Sequence, residues 1–360
     1  MRIHVKLPVR TSIILLIALL LTVSFAVAQD FRVRTKVDLV VVPVSVRDDK
    51  GTLVPGLNQK DFAIVEDGVP QTISNFSDDP QPLSAAIVLD TGMGGISMRR
   101  LVPLFISLTD GFSDFDEMAS FRYDHFVFPL SDFTSDREKI EKSFEVVKSI
   151  AKKQPDRVPP GDPSPTVPKV LQTLLGLLGS GLGGYGGAVD ANTRPPTERL
   201  PTVRPTKVAP TRVLFDALYD AAKALETRPQ NRRRIIFIVS DGQVSAAANT
   251  HKFAEITDLL IHDNIQLYSV NTDDDLVERR LGVLGSLARA TGGDEYRGLN
   301  TASMENAFAR ITEQARNQYV LGYQSSNEPR DGMPVIRQIE VKARDPKWNV
   351  THRKGYTQVP

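Results

Sequence analysis

Two stretches far apart in the chain share one pattern, a short apolar run that stops at an aspartate. Residues 85–89 lead directly to Asp90, residues 235–239 lead through one serine to Asp241, and glycine follows each aspartate within two positions. Unbroken apolar runs of this length are typical of strands buried on both faces of a parallel sheet. In such sheets, ligands bind outside the carboxyl ends of the strands. We therefore predict that both aspartates lie at this edge of one central sheet, which we call the rim.

Strand patterns alternate with helix patterns from residue 83 onward. Further strands are predicted at 117–123 and 266–270, and residues 126–130 are expected to pair with the first of them. Helical stretches are predicted at 97–108, 136–151, 214–225, 251–262, 281–290 and 304–315. This alternation predicts a doubly wound α/β domain with a mostly parallel sheet.

The two flanks of this domain have strand character with a period of two. In the first, residues 29–82, a turn at Asp67 and Gly68 is predicted to join strands 62–65 and 71–76. The second flank is residues 318–360, and each flank alone is too small to bury a good core. We therefore predict that they join in one small antiparallel β-sandwich, into which the α/β domain of residues 83–317 is inserted.

Residues 152–210 break the α/β pattern, because proline and glycine crowd together there. This composition predicts a long, largely disordered insertion in the α/β domain. The alternative is that its leucine- and glycine-rich part is a sticky patch for a partner or for lipid.

The first residues predict export from the cytoplasm. Residues 1–28 combine a basic start, an apolar run over 12–25 and a small-x-small ending at Ala28, which predicts a signal peptide cleaved near Ala28. An uncleaved anchor is the alternative, but the apolar run is short for a span of roughly 20 residues. No later stretch is long and apolar enough to cross a bilayer, so a secreted or periplasmic chain is expected.

Composition narrows the functional classes. The chain has no cysteine, which excludes disulfides, thiol nucleophiles and thiolate zinc sites. The net charge of the 360 residues is +1, so nothing in the overall charge favours nucleic acid. No H-E-x-x-H or G-x-S-x-G pattern occurs, and no nucleophile and base are visible together. The sequence predicts that the chain is not an enzyme.

Two carboxylates at one rim suggest a divalent cation such as Mg²⁺, which prefers oxygen ligands. The alternative is that Asp90 and Asp241 cap the helices that follow, or pair with a nearby arginine or lysine. Asp273, in an acidic run after the strand at 266–270, is predicted to lie on the same rim. Such a run is also typical of a solvated loop.

The motifs at the rim resemble those of a von Willebrand factor type A domain. Residues 87–94 and 238–242 are similar to the first and third loops of that family's site. Residues 116–121 resemble its second strand, 133–137 the entry to the next helix, and 214–218 the helix after its threonine loop. The two flanks are similar to those of a secreted bacterial subgroup first noted in acidobacteria.

The resemblance implies a metal-ion-dependent adhesion site, with the pattern D-x-S-x-S, a threonine on the second loop and an aspartate on the third. Asp90 and Asp241 match the two aspartates, and Thr211 lies nearest to the threonine position. Gly92 and Gly94 replace the two serines, so two hydroxyl ligands are lost. The implied cofactor is Mg²⁺, or Mn²⁺ or Ca²⁺ in its place.

The functional hypothesis from the sequence is a noncatalytic, adhesion-type module. It binds a protein partner in the envelope or outside the cell through this degenerate metal site. The alternative is a metal-independent envelope scaffold or assembly protein, in which the rim makes no contacts.

Overall fold

The computed structural model describes residues 39–154, 212–245, 247–272, 282–297, 301–328 and 333–358. These residues belong to one compact unit. The predicted signal peptide and nearly all of the predicted insertion 152–210 lie outside the described residues, and so do Thr211 and Asp273. The predictions made for the signal peptide, the insertion, Thr211 and Asp273 are therefore not tested by the structure and stay predictions.

Strands and helices are numbered along the chain. The strands are β1 (Leu39–Arg47), β2 (Phe62–Glu66), β3 (Val69–Gln71), β4 (Ile73–Ser77), β5 (Leu83–Asp90), β6 (Glu117–Tyr123), β7 (Val127–Thr134), β8 (Arg233–Ser240), β9 (Ile265–Asn271), β10 (Glu295–Arg297), β11 (Tyr319–Gln324), β12 (Val335–Ala343), β13 (Asn349–His352) and β14 (Gly355–Gln358). The α-helices are α1 (Gly95–Leu101), α2 (Phe105–Asp110), α3 (Arg137–Lys153), α4 (Leu214–Glu226), α5 (Phe253–His262), α6 (Val283–Thr291) and α7 (Thr301–Arg316). Short 3-10 turns lie at Gln59–Asp61 and Val102–Leu104.

A central sheet organises the described part of the chain. Its six strands there have the order β10-β9-β8-β5-β6-β7, and all neighbours are parallel except β7, which runs antiparallel to β6. All eight residues of β5 are buried, as expected for a strand covered on both faces. The predicted doubly wound, mostly parallel sheet is confirmed. Since β5 and β8 are neighbours, their carboxyl ends lie side by side.

Helices cover both faces of this sheet, and the alternation along β5 shows why. Ile87 and Leu89 point to a core that includes α1, α2, α3 and α7 and contains Phe144 of α3. Val88 points to the opposite core, which includes α4, α5 and α6 and contains Leu218. Successive side chains of a strand face opposite ways, so one apolar run supplies both cores.

The two flanks combine in two antiparallel sheets of the orders β13-β1-β11-β4 and β14-β12-β2-β3. Each sheet contains strands from both flanks, and one apolar core joins them, with Val42 and Leu321 from one sheet and Ile64 and Val341 from the other. The predicted sandwich made from both ends of the chain is confirmed. By joining, the flanks bury a core that neither could build alone.

The backbone just after α6 lies so close to β9 that Gly293 has no room for a side chain. A Cβ atom at this position would lie 1.9 Å from the carbonyl oxygen of Leu267. We expect Gly293→Ala to lower the free energy of unfolding by about 1–3 kcal/mol, because the backbone must shift to admit the methyl group. Urea unfolding would measure the loss. Gly282→Ala is the matched control, since a Cβ there meets nothing within 4 Å; equal losses in the two variants would contradict the argument.

Among the described residues, none of the helices has both the length and the apolar character that crossing a bilayer requires.

Candidate functional site at the rim

The structure brings the two predicted aspartates together at the rim. Asp90 is the last residue of β5, and Asp241 directly follows β8. The register of the two strands places Leu89 opposite Val239. Asp90 is fully buried, whereas the Asp241 side chain is 12% exposed. The predicted meeting of two distant carboxylates at one edge of one sheet is therefore what the fold produces.

Arg212 lies between the two carboxylates. Its Nη1 donates to Asp90 Oδ2 at 3.2 Å and also to Asp241 Oδ1. Its Nη2 donates to the carbonyl oxygen of Gly92 at 2.6 Å. The Arg212 side chain is 1% exposed. One guanidinium thus joins the ends of β5 and β8 and the loop that follows β5.

Asp90 has further partners that close the network beneath Arg212. Its Oδ1 accepts from the Gly92 N–H at 2.9 Å. Its Oδ2 accepts from the hydroxyls of Tyr123 at 3.1 Å and Ser240 at 2.9 Å, and these two hydroxyls lie 2.9 Å apart. A buried carboxylate needs such partners, because an unpaired one would be far too costly to desolvate.

The charges of the site depend on each other. Burial raises the pKa of Asp90 to about 6, although Arg212 acts against the rise; Asp241 adds to it. Arg212, the Ser240 hydroxyl and the Gly92 N–H favour the ionised form of this carboxyl and limit the rise. Burial acts to lower the pKa of Arg212, but Asp90 and Asp241 outweigh it and hold that pKa above its usual value. Burial also raises the pKa of Tyr123, so its phenol stays neutral and can donate.

The backbone of Arg212 is fixed by neighbouring loops. The Asn249 Nδ2 donates to the Arg212 carbonyl at 2.9 Å and to the Ser245 carbonyl at 2.7 Å. The Asn249 Oδ1 accepts from the N–H groups of Phe215 at 2.8 Å and Asp216 at 3.3 Å, at the start of α4. One amide side chain thus satisfies otherwise unpaired helix N–H groups and holds the residue that enters the site.

The described residues do not fit a metal ion at this position. The guanidinium stands between the carboxylates, and Gly92 and Gly94 offer no hydroxyl oxygen. Within the part of the chain that the structure describes, no group of three or more histidine, aspartate or glutamate side chains is placed to hold a metal. Metal ions of the kind predicted need several oxygen ligands. Thr211 and Asp273, the other residues predicted for the rim, lie outside the described residues.

A hairpin beside the rim carries an exposed aromatic side chain. Phe126 is 70% exposed, between β6 and β7. The Asp124 Oδ1 accepts from the Phe126 N–H at 3.2 Å, and the Arg122 guanidinium lies 3.7 Å from the centre of the Phe128 ring. The Val213 N–H donates to the Asp124 carbonyl at 3.2 Å. The hairpin is therefore tied to the residue that follows Arg212.

Sequence reasoning missed three side chains of this site. Arg212 was not identified, although pairing of the aspartates with an arginine was one of the open alternatives. In the sequence, Ser240 stands out only as the residue before Asp241, and Tyr123 only as the last residue of a predicted strand. The available signal was an arginine next to Thr211 together with glycines in the places of hydroxyl residues.

No protein-family model matches the chain, and no curated protein does. Solved structures are similar to it at low sequence identity. A von Willebrand factor type A protein from Catenulispora acidiphila is 9% identical, with 90% of this chain and 74% of that chain covered and a TM-score of 0.42. An aerotolerance-related membrane protein from Bacteroides fragilis is 13% identical, with 64% and 99% covered and a TM-score of 0.38. The manganese-loaded TRAP protein of Plasmodium vivax is 10% identical, with 82% and 98% covered and a TM-score of 0.36.

The sheet order and the helices on both faces define a doubly wound α/β domain with a rim for ligands. More specifically, this order of strands, with β7 as the antiparallel strand at one edge, agrees with the resemblance of the rim motifs to a von Willebrand factor type A domain. What these similar proteins bind is not carried over to this chain. Membership of the secreted bacterial subgroup stays a prediction.

Proposed function

We propose that this chain is a noncatalytic protein-binding module that acts outside the cytoplasm, and that the rim with its hairpin contacts the partner. The observation that carries this proposal is the exposed ring of Phe126 on a hairpin fixed at the rim. A large aromatic side chain on an ordered backbone loses little conformational freedom on binding, and such residues often dominate the energy of protein interfaces.

The hydroxyl groups at the site support a noncatalytic role. Ser240 and Tyr123 are fully buried, and both are hydrogen-bonded to Asp90. A substrate outside the protein could not reach either hydroxyl without opening the network. The polar side chains therefore hold the loops of the rim in place, and the exposed hairpin makes the contact.

The proposal requires no Mg²⁺, Mn²⁺ or Ca²⁺. This differs from the Plasmodium vivax TRAP protein, whose structure is manganese-loaded. In this chain, Arg212 already links the two carboxylates that the sequence assigned to a metal. The location outside the cytoplasm rests on the signal peptide predicted for residues 1–28. In the scaffold alternative the rim makes no contact, so an experiment at Phe126 separates the two functions.

Crosslinking from position 126 tests the proposed surface. A photoreactive phenylalanine analogue at position 126 is expected to give a discrete protein adduct in cells that produce and export the chain. The matched control is position 115, because Phe115 is 81% exposed but precedes β6, at the opposite end of the strand that leads to the hairpin. An adduct from position 115 alone, or from neither position, would favour the scaffold.

Affinity for the crosslinked partner gives the quantitative prediction. We expect Phe126→Ala to weaken binding by roughly 30-fold, the effect of losing an interface side chain worth about 2 kcal/mol. Phe115→Ala should leave the affinity within about twofold. Calorimetry with the purified pair would measure both, and unchanged unfolding midpoints would show that neither variant perturbs the fold.

A further inference from the structure

We propose that the Arg212 guanidinium is the built-in cation of the rim: it holds the place between Asp90 and Asp241 that the family resemblance assigns to a metal ion, and it keeps divalent cations out. This inference goes beyond the proposed function, which requires only the exposed hairpin.

The first support is that one group serves all three parts of the rim. Nη1 of Arg212 donates to both carboxylates, and Nη2 donates to the Gly92 carbonyl. Asp90 and Asp241 are 122 and 29 residues away from Arg212 along the chain, respectively. The guanidinium thus brings together the loops after β5 and β8, as a metal ion with ligands on both loops would. It is permanently charged and has a rigid fork of donors suited to carboxylates.

The second support is the fit between Arg212 and the glycine at position 92. A Cβ atom there would lie 3.3 Å from Arg212 Nε and 3.3 Å from Asp90 Oδ1. Both distances are tighter than ordinary van der Waals contact, so any larger side chain would press on the guanidinium. In the family pattern a serine occupies this position and supplies a metal ligand. We therefore interpret the loss of this serine and the presence of the arginine as one linked change, in which the guanidinium replaces the metal ion.

The third support is that the guanidinium cannot readily leave. Its side chain is 1% exposed, and its backbone carbonyl accepts from the Ser245 N–H at 3.2 Å as well as from Asn249. A divalent cation must come within roughly 2.0–2.6 Å of carboxylate oxygens. That space is taken by Nη1, and the positive charge of the arginine would repel the incoming ion.

Manganese binding by the wild-type protein is the primary test. After treatment with chelator, the full mature chain is titrated with Mn²⁺, and bound ion is followed by electron paramagnetic resonance and calorimetry. We expect no saturable site and no rise in the unfolding midpoint at 1 mM Mn²⁺. A site with a Kd of about 10 µM would stabilise the fold by about 2.7 kcal/mol at that concentration, which is readily seen. Wild-type binding that disappears in Asp241→Asn would overturn the proposal.

Removing the guanidinium is the second test. We expect Arg212→Ser to gain one Mn²⁺ site per chain, at least tenfold tighter than any wild-type binding, and Arg212→Ser with Asp241→Asn to lose it. The matched control is Arg316→Ser, which removes the arginine partner that lies 2.5 Å from the buried Asp116. Asp116 lies before β6, away from the rim, so this variant uncovers neither of the two rim carboxylates. It should gain no site. A folded Arg212→Ser protein without Mn²⁺ binding would show that Arg212 is not what excludes the metal. If Arg212→Ser does not fold, the Mn²⁺ titrations of the wild type and of Asp241→Asn decide whether the proposal holds.

Discussion

Arg212→Ala is expected to lower the free energy of unfolding by about 3–5 kcal/mol, the largest loss that we anticipate for any single substitution in this chain. The reason is electrostatic. Without the guanidinium, the fully buried Asp90 would face Asp241 with no cation between them. Two carboxylates of like charge at short range, one of them out of contact with water, cannot both remain ionised without great cost. Urea unfolding at pH 7 without divalent ions would measure the loss.

A second substitution identifies the cause of this loss. In the double variant Arg212→Ala with Asp90→Asn, the neutral amide needs no cation, so we expect part of the lost stability to return. The control is Arg344→Ala, whose side chain is 80% exposed and 3.9 Å from Asp61. It should change stability by less than about 0.5 kcal/mol, as is usual for surface pairs. A loss below about 1 kcal/mol for Arg212→Ala would mean that the guanidinium does not hold the rim together.

The architecture could be predicted because its signals are local. An unbroken apolar run identifies β5 and β8 as strands buried on both faces, and parallel neighbours place their ends at one edge. The meeting of Asp90 and Asp241 follows from these two facts alone. The joining of the flanks followed from their size, because neither could form a core by itself.

The strand predicted at residues 71–76 shows what a local sequence pattern cannot predict. The turn at Asp67 and Gly68 forms as predicted, but the strand that pairs with β2 is β3, which ends at Gln71. The chain then enters β4, which pairs with β11 in the other sheet. A continuous strand pattern does not reveal that the chain passes from one sheet to another.

The partner of the two aspartates could not be predicted for a related reason. The direction of a long side chain depends on the tertiary structure, and Arg212 finds its partners in loops that are distant in sequence. Nothing in the residues around Arg212 distinguishes a buried cation from a surface arginine. The missing hydroxyls at positions 92 and 94 showed that a metal site would be incomplete, but they did not show what fills the space.

His352 in the sandwich is expected to make the protein sensitive to acid. It is 3% exposed, its Nε2 accepts from the Val341 N–H at 3.2 Å, and its Nδ1 lies 2.7 Å from the Arg353 carbonyl. Burial and the nearby charge of Lys354 together lower the pKa of His352 to about 4, although the hydrogen bond with Arg353 and the charge of Glu340 act in the opposite direction. A proton on Nε2 would also face the Val341 N–H, donor against donor. The folded protein therefore binds this proton less readily than the unfolded chain does.

The sign of the pH effect follows from this difference in affinity. The contribution of His352 is fully present above the ordinary pKa of about 6.5 and is lost as pH falls through about 4. A difference of two to three pKa units corresponds to about 3 kcal/mol between pH 7 and the acid limit. Carboxylates also titrate in this range, so the comparison with His352→Gln isolates the histidine: the wild type should lose more stability on acidification than the variant does. His262→Gln, at a side chain that is 60% exposed, should follow the wild type. If urea midpoints from pH 7 to pH 4 ran parallel for the wild type and His352→Gln, the buried ring would not be the acid-sensitive group of the sandwich.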